Sequence, residues 1–126
     1  MSQRSPLGKV RGLGSAKEGT EHFWKQRLTA VANIFLVCFL IGLLATLAGA
    51  DYATVKRTLA MPYVAVPLLL LVLSGIVHMR LGMQTIIEDY VHSEGRKVAA
   101  LMLNSFFAIL VGITCVFAVL KLSFGA

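Results

Sequence analysis

The chain has 126 residues, 57% of them hydrophobic and only 14% charged, with a formal net charge of +6 and a mean hydropathy of +0.78. A soluble domain carries about one quarter charged residues, so a soluble globular fold is excluded, and no length is left for a separate catalytic domain. The positive balance reads as an orientation signal for a membrane protein and not as a nucleic-acid patch.

Residues 1–27 form a basic arm carrying Arg4, Lys9, Arg11, Lys17, Lys25 and Arg27, with no acid before Glu18. A disordered segment is the expectation, with a faint similarity to a mitochondrial presequence. No apolar core precedes residue 28, so no cleavable secretory signal is expected, and the first span should act as a signal anchor. GLGSAKEG has the look of a phosphate loop, but no strand leads into it, and the reading is set aside. At the end of the arm, in HFWKQRLTA, Trp24 reads as an interfacial anchor and Arg27 as a cation at the mouth of the membrane.

Three apolar blocks follow, each long enough to cross a bilayer, which takes about 20 residues per helix. The spans are placed at 28–50, 62–87 and 98–120. The second block is uncharged from Thr58 to Met79 and keeps its pattern through Arg80 to Ile87. None alternates as a barrel strand would. The expected fold is therefore an all-α membrane domain of three transmembrane helices over 28–120, with a tail at 121–126. Cys38 and Cys115 lie inside spans without metal-ligand spacing and read as buried packing residues. Arg96 and Lys97 in the second loop join the six basic residues of the arm on one side, against Lys56, Arg57 and Lys121 on the other. Eight against three places the N-terminus in the cytoplasm, or the matrix, and the C-terminus outside.

The stretch HMRLGMQTIIEDYVH at 78–92 puts ionisable side chains at the end of an apolar run, where each is costly without a partner, a cofactor or water. At about 100° per residue, Ser74, Gly82, Thr85, Asp89 and His92 all fall within about 40° of His78 on the helix wheel. Small and hydroxyl residues on one stripe mark a helix–helix interface in a membrane, so His78 points into a bundle. It serves either as an interhelical hydrogen-bond partner or as an axial haem ligand, with Gly82 leaving room for a flat macrocycle. His22 and His92 lie at the membrane boundary, so a second haem ligand would come from another protein.

Asp89 and Tyr90 lie about 16 Å further along at 1.5 Å per residue, at the membrane surface. Tyr90 is either an aromatic-belt anchor or, with Asp89, part of a quinone site in which the phenol donates to a carbonyl. Arg80, Gln84 and Glu88 follow one another at i, i+4 on a different face. Arg80 is expected to snorkel and be satisfied along its own helix, the alternative being that its guanidinium meets a haem propionate or an acidic partner.

His78 followed by Asp89-Tyr90-Val91 at the end of the second of three spans resembles the small cytochrome b membrane-anchor subunit of succinate dehydrogenase, respiratory complex II. Arg27-Leu28-Thr29-Ala30 at the first span is similar as well, and the likeness covers nearly the whole chain. The resemblance implies that His78 supplies one axial ligand to haem b and a large cytochrome b anchor subunit the other. It implies further that Tyr90 and Asp89 bind ubiquinone and that Arg27 lies near the haem propionates. The flavoprotein and iron–sulfur subunits would carry the chemistry, so this chain is not an enzyme on its own. A bacterial inner membrane is expected, with the mitochondrial inner membrane as the alternative. An anchor of a quinol:fumarate reductase is the rival within the class. From another class, a small scaffold or transporter subunit would use His78 and Asp89 as a proton relay.

Overall fold

The computed structural model describes residues 5–12 and 19–124. Arg4, Lys17 and the central part of GLGSAKEG lie outside the described residues. The described chain is all helical: α1 (Pro6–Val10), α2 (Gly19–Leu47), α3 (Tyr52–Ala60), α4 (Pro62–Tyr90) and α5 (Glu94–Phe124). The short α1 departs from the disorder expected of the arm. Its start is capped by Ser5, whose Oγ accepts the Gly8 amide at 3.1 Å, meeting a donor that the first turn leaves without a partner.

The three long helices carry 29, 29 and 31 residues, or about 45 Å each at 1.5 Å per residue. They overrun a hydrocarbon core of about 30 Å. The spans read from hydropathy are shorter because apolarity marks only what lies in lipid, while backbone hydrogen bonding carries the helix into the head-group layer. Residues 19–27 of the basic arm are accordingly helical.

The breaks have local causes. Gly49, at φ +80°, turns the chain after α2, where the Ala50 amide reaches the Leu47 carbonyl at 3.0 Å. A left-handed residue costs a non-glycine side chain about 1–2 kcal/mol. Met61 is held extended, at φ −67° and ψ 131°, because the ring of the following proline disfavours the helical region for the residue before it. Pro62 then opens α4, where its missing N–H is no loss. Thr58–Ala60 thus belong to α3, a separate short helix bearing Lys56 and Arg57, and not to the apolar run that follows. At the other end Val91, at φ −97° and ψ 100°, stops α4, so His92 leaves the helical stripe on which the wheel had placed it.

α4 is the central helix. It packs against α2 on one side and α5 on the other, while α2 and α5 form no comparable interface, and α3 lies against α5 and α4. A row of three helices encloses little: Leu43, Val64, Ala65, Ile87 and Ala108 are the buried hydrophobic residues among those described. Most Leu, Ile, Val and Phe side chains remain exposed, which in a bilayer is surface for lipid and neighbouring chains. Cys115 is half-buried, but Cys38 is exposed on α2, contrary to the packing role expected of it.

Ala108 is the most enclosed of these residues, at 1% exposure. It lies with Leu73 and Ile76 of α4 along the α4–α5 seam. Ala108→Leu should force the two helices apart and cost about 1–3 kcal/mol, the usual penalty for overpacking. Thermal inactivation of the purified membrane complex should show the loss; an unchanged melting profile would mean the seam is loosely packed.

Candidate functional site

The stripe read on α4 faces a matching stripe on α2. His22, Gln26, Thr29 and Asn33 recur at steps of four, three and four residues, within about 60° of one another on a helix. The helices run antiparallel, and the pairs follow in order. His78 Nδ1 lies 3.1 Å from Thr29 Oγ1, Ser74 Oγ donates to the Thr29 carbonyl over 3.4 Å, and Gly82 sits under Gln26. His78 is half-buried, as expected of a residue pointing into a bundle.

In this structure Gly82 serves close helix packing. A Cβ there would stand 3.3 Å from Gln26 Nε2, so the missing side chain makes room for a glutamine of α2. Toward the helix ends the seam opens into a cavity of about 390 Å³, lined by His22, Phe23, Gln26, Arg27 and Ala30 of α2 with His78 and Thr85 of α4. No residue of α5 lines it. His22 Nε2 and Gln26 Oε1 are buried there without a hydrogen-bond partner, as is Asn33 Oδ1 further along α2. A buried polar atom left unpaired costs about 1–3 kcal/mol, so such atoms call for a further group. Arg27 stands over the Phe23 ring, its guanidinium carbon 4.2 Å from the ring centroid, and Trp24 packs edge-on against the same ring at 5.7 Å. The stacked cation is thereby directed along one wall of the cavity.

Tyr90 lies at a second opening. It lines a cavity of about 310 Å³ with Val91, His92, Arg96 and Ala100, and its side chain is 76% exposed. Asp89 is exposed as well and is not among the residues lining this cavity. The two neighbours leave the helix about 100° apart, and the structure does not bring them into one pocket. Arg96, read from the sequence only as an orientation charge, is brought there instead.

The third polar face differs from its expectation. Gln84 donates to Glu88 at 2.8 Å, and the ion pair found among the described residues joins Lys25 to Glu21. Arg80 is therefore not paired along its own helix. Its backbone carbonyl instead accepts the Asn104 amide at 3.0 Å, tying α4 to α5. His22, Gln26 and Thr29 are the site residues that a reading centred on α4 leaves out. Their four-three spacing, continued by Asn33 four residues on, was the available signal.

Comparison with known proteins now decides the family. Residues 1–114 match the model of the succinate dehydrogenase/fumarate reductase transmembrane subunit. The chain belongs to that family. It is 34% identical over 118 residues to the succinate dehydrogenase hydrophobic membrane anchor subunit of Rickettsia bellii, covering 92% of this chain and 93% of the relative. To the protein of the same name from Paracoccus denitrificans it is 31% identical, over 97% and 94% of the two chains. No solved structure matches. The expectation of a three-span anchor subunit of succinate dehydrogenase, without dehydrogenase chemistry of its own, is met. This anchor subunit is a multi-pass membrane protein.

The Gly82–Gln26 contact yields a graded expectation. Gly82→Ala should be tolerated, because the flexible end of a glutamine can give way by a few tenths of an ångström. Gly82→Leu has no such escape and should separate α2 from α4 at a cost of about 1–3 kcal/mol. Melting both variants side by side checks it; equal stability would mean that the helices do not approach closely at this position.

Proposed function

We propose that this anchor subunit co-ligates haem b through His78 and contributes Tyr90 to the site where ubiquinone is reduced. It does so in a succinate:quinone oxidoreductase of the bacterial inner membrane. The observation that carries the reading is the composition of the α2–α4 cavity: an imidazole at membrane depth, an arginine on the wall, and two buried polar atoms without partners. An apolar gap would need none of these. The donor set fits a haem, since His78 Nε2 is left free for iron while Nδ1 is engaged by Thr29, and Arg27 and His22 suit propionates at the wider end. Once bound, haem would supply a one-electron relay; what this chain contributes are the roles of its own side chains.

Those roles follow from chemistry and position. His78 offers a lone pair on a ring held at one edge. Arg27, stacked on Phe23, offers a fixed positive charge to an anion. Tyr90 is a hydrogen-bond donor at the helix end, and Arg96 in the same cavity adds a cation where negative charge develops on a quinone oxygen. Asp89, exposed one residue earlier, keeps its assigned part in quinone binding through a surface that faces other subunits. Because α2 and α4 alone line the haem cavity, its remaining wall and the second axial ligand are assigned to a large cytochrome b anchor subunit. The iron–sulfur subunit is placed at the Tyr90 end and delivers electrons drawn from succinate by the flavoprotein. This orientation agrees with the surplus of Lys and Arg on that side, which puts the N-terminus and the 88–97 region in the cytoplasm.

Two substitutions test the halves separately. His78→Leu should alter or abolish the reduced-minus-oxidised haem b spectrum of the purified complex; an unchanged spectrum removes His78 from the ligands. Tyr90→Phe keeps the ring and deletes the donor. Loss of about 0.5–1.5 kcal/mol corresponds to a roughly threefold to tenfold fall in succinate:quinone turnover. Succinate oxidation by an artificial acceptor upstream of the site should be spared. Equal loss of both activities would point to damaged assembly, and loss of neither would leave Tyr90 as an interfacial anchor.

A further inference from the structure

The hydrogen bonds of a single threonine carry more than packing. Thr29 Oγ1 lies 2.8 Å from the Lys25 carbonyl, 3.1 Å from the Gln26 carbonyl and 3.1 Å from His78 Nδ1. A hydroxyl has one proton to give and two lone pairs that accept, and a carbonyl oxygen only accepts. The proton is therefore spent on the carbonyls of its own helix, the Lys25 oxygen being nearer. Toward His78 only a lone pair remains, so Nδ1 must carry the proton and donate it. In neutral imidazole one nitrogen is the donor and the other the acceptor, which leaves the Nε2 lone pair unprotonated and free.

We infer that Thr29 is a positioning residue that locks His78 in the Nδ1–H tautomer and fixes the plane of its ring, so that Nε2 is presented as a metal ligand before any haem arrives. The inference rests on the reading of His78 as the haem ligand and deepens it. Three features make the lock firm. The branched side chain has restricted χ1 freedom in a helix, and bonding back to the preceding turn selects one of the remaining rotamers. Ser74 Oγ reaches the carbonyl of the same threonine, so α4 grips Thr29 at two atoms one turn apart. Lastly, the contact is part-buried between two helices.

The nature of the partner also has a consequence. A hydroxyl lone pair is a neutral acceptor, and it withdraws the Nδ1 proton far less than a carboxylate would. Outer partners of a ligating histidine hold its tautomer and ring plane and strengthen its donation to a bound metal. Removing the acceptor should thus weaken donation to ferric iron and move the haem midpoint potential upward.

The test uses the assembled complex, with succinate oxidation by an artificial acceptor as the check on assembly. Thr29→Val keeps the volume and branching and deletes the hydroxyl. Thr29→Ser keeps the hydroxyl and deletes a methyl. Haem loss to excess apomyoglobin, the midpoint potential and the low-temperature electron paramagnetic resonance of the ferric haem are recorded for each. Expected for Thr29→Val are faster haem loss, corresponding to affinity lower by about 10–100-fold, a raised potential and a changed resonance, all restored in Thr29→Ser. If Val prevents assembly, Thr29→Ala is read in its place; failure of both with an intact Ser variant would overturn the proposal in favour of a folding role. Normal haem behaviour in Val, or equal damage in Val and Ser, would overturn it also. His78→Leu separates the two levels: a haem left unaltered there defeats the ligand assignment, whereas haem altered there but normal in Thr29→Val defeats only the role of Thr29.

Discussion

An imidazole at membrane depth cannot be left to find its own partner. In lipid the alternative to an internal hydrogen bond is an orphaned polar group, and its cost exceeds what one interhelical contact contributes. The Thr29–His78 bond meets this constraint, and the α2–α4 interface is arranged around it. Ser74 and Gly82 lie one turn to either side and bring the helices to the distance the bond requires: one by reaching the Thr29 carbonyl, the other by leaving space for Gln26. α5 attaches to the opposite side of α4 through Ala108 and the Asn104–Arg80 bond, where no ionisable side chain is engaged. One flank of α4 is thus specified by the polar contacts around His78, and the other by close packing at Ala108 with the Asn104 hydrogen bond.

A three-helix row with so few buried residues is not a self-sufficient fold. Its apolar faces are satisfied by lipid, but the cavity at His78 is not, since it holds polar atoms without partners. This asymmetry separates apolar surface suited to bilayer from surface whose buried polar atoms lack partners. It also explains how a small anchor subunit serves a large enzyme. The backbone is made rigid by internal hydrogen bonding along three helices, and the polar side chains of the α2–α4 cavity are fixed on it.

The polar ends of the helices divide the work along the membrane normal. His78, Arg27 and His22 gather between α2 and α4, and Tyr90 with Arg96 sits where α4 gives way to α5. Both openings lie toward the same end of α4, with His78 about three turns inside Tyr90. Electron relay and proton-coupled chemistry at a quinone have different needs, one for a dry, fixed ligand and one for exposed donors. On the proposed function, their order along a single helix would supply both.

The sequence by itself determined the class, the number of spans and the orientation of His78 into a bundle. Apolar run length and the 3.6-residue period are local quantities, and lipid leaves the backbone few alternatives. The stripe from Ser74 to Thr85 was legible for that reason. It failed at His92 because a wheel assumes a continuing helix, and Val91 ends it. The separation of α3 from α4 was available in Met61-Pro62 but hidden by hydropathy, which does not see backbone angles. Only tertiary structure decided which residues of α2 answer His78, that Gly82 receives Gln26, and that Arg96 rather than Asp89 shares the opening with Tyr90. Those outcomes depend on helix register and on the angle at which a chain leaves a helix end. Register is set by how two surfaces pack against each other, and neither strand of sequence carries it alone.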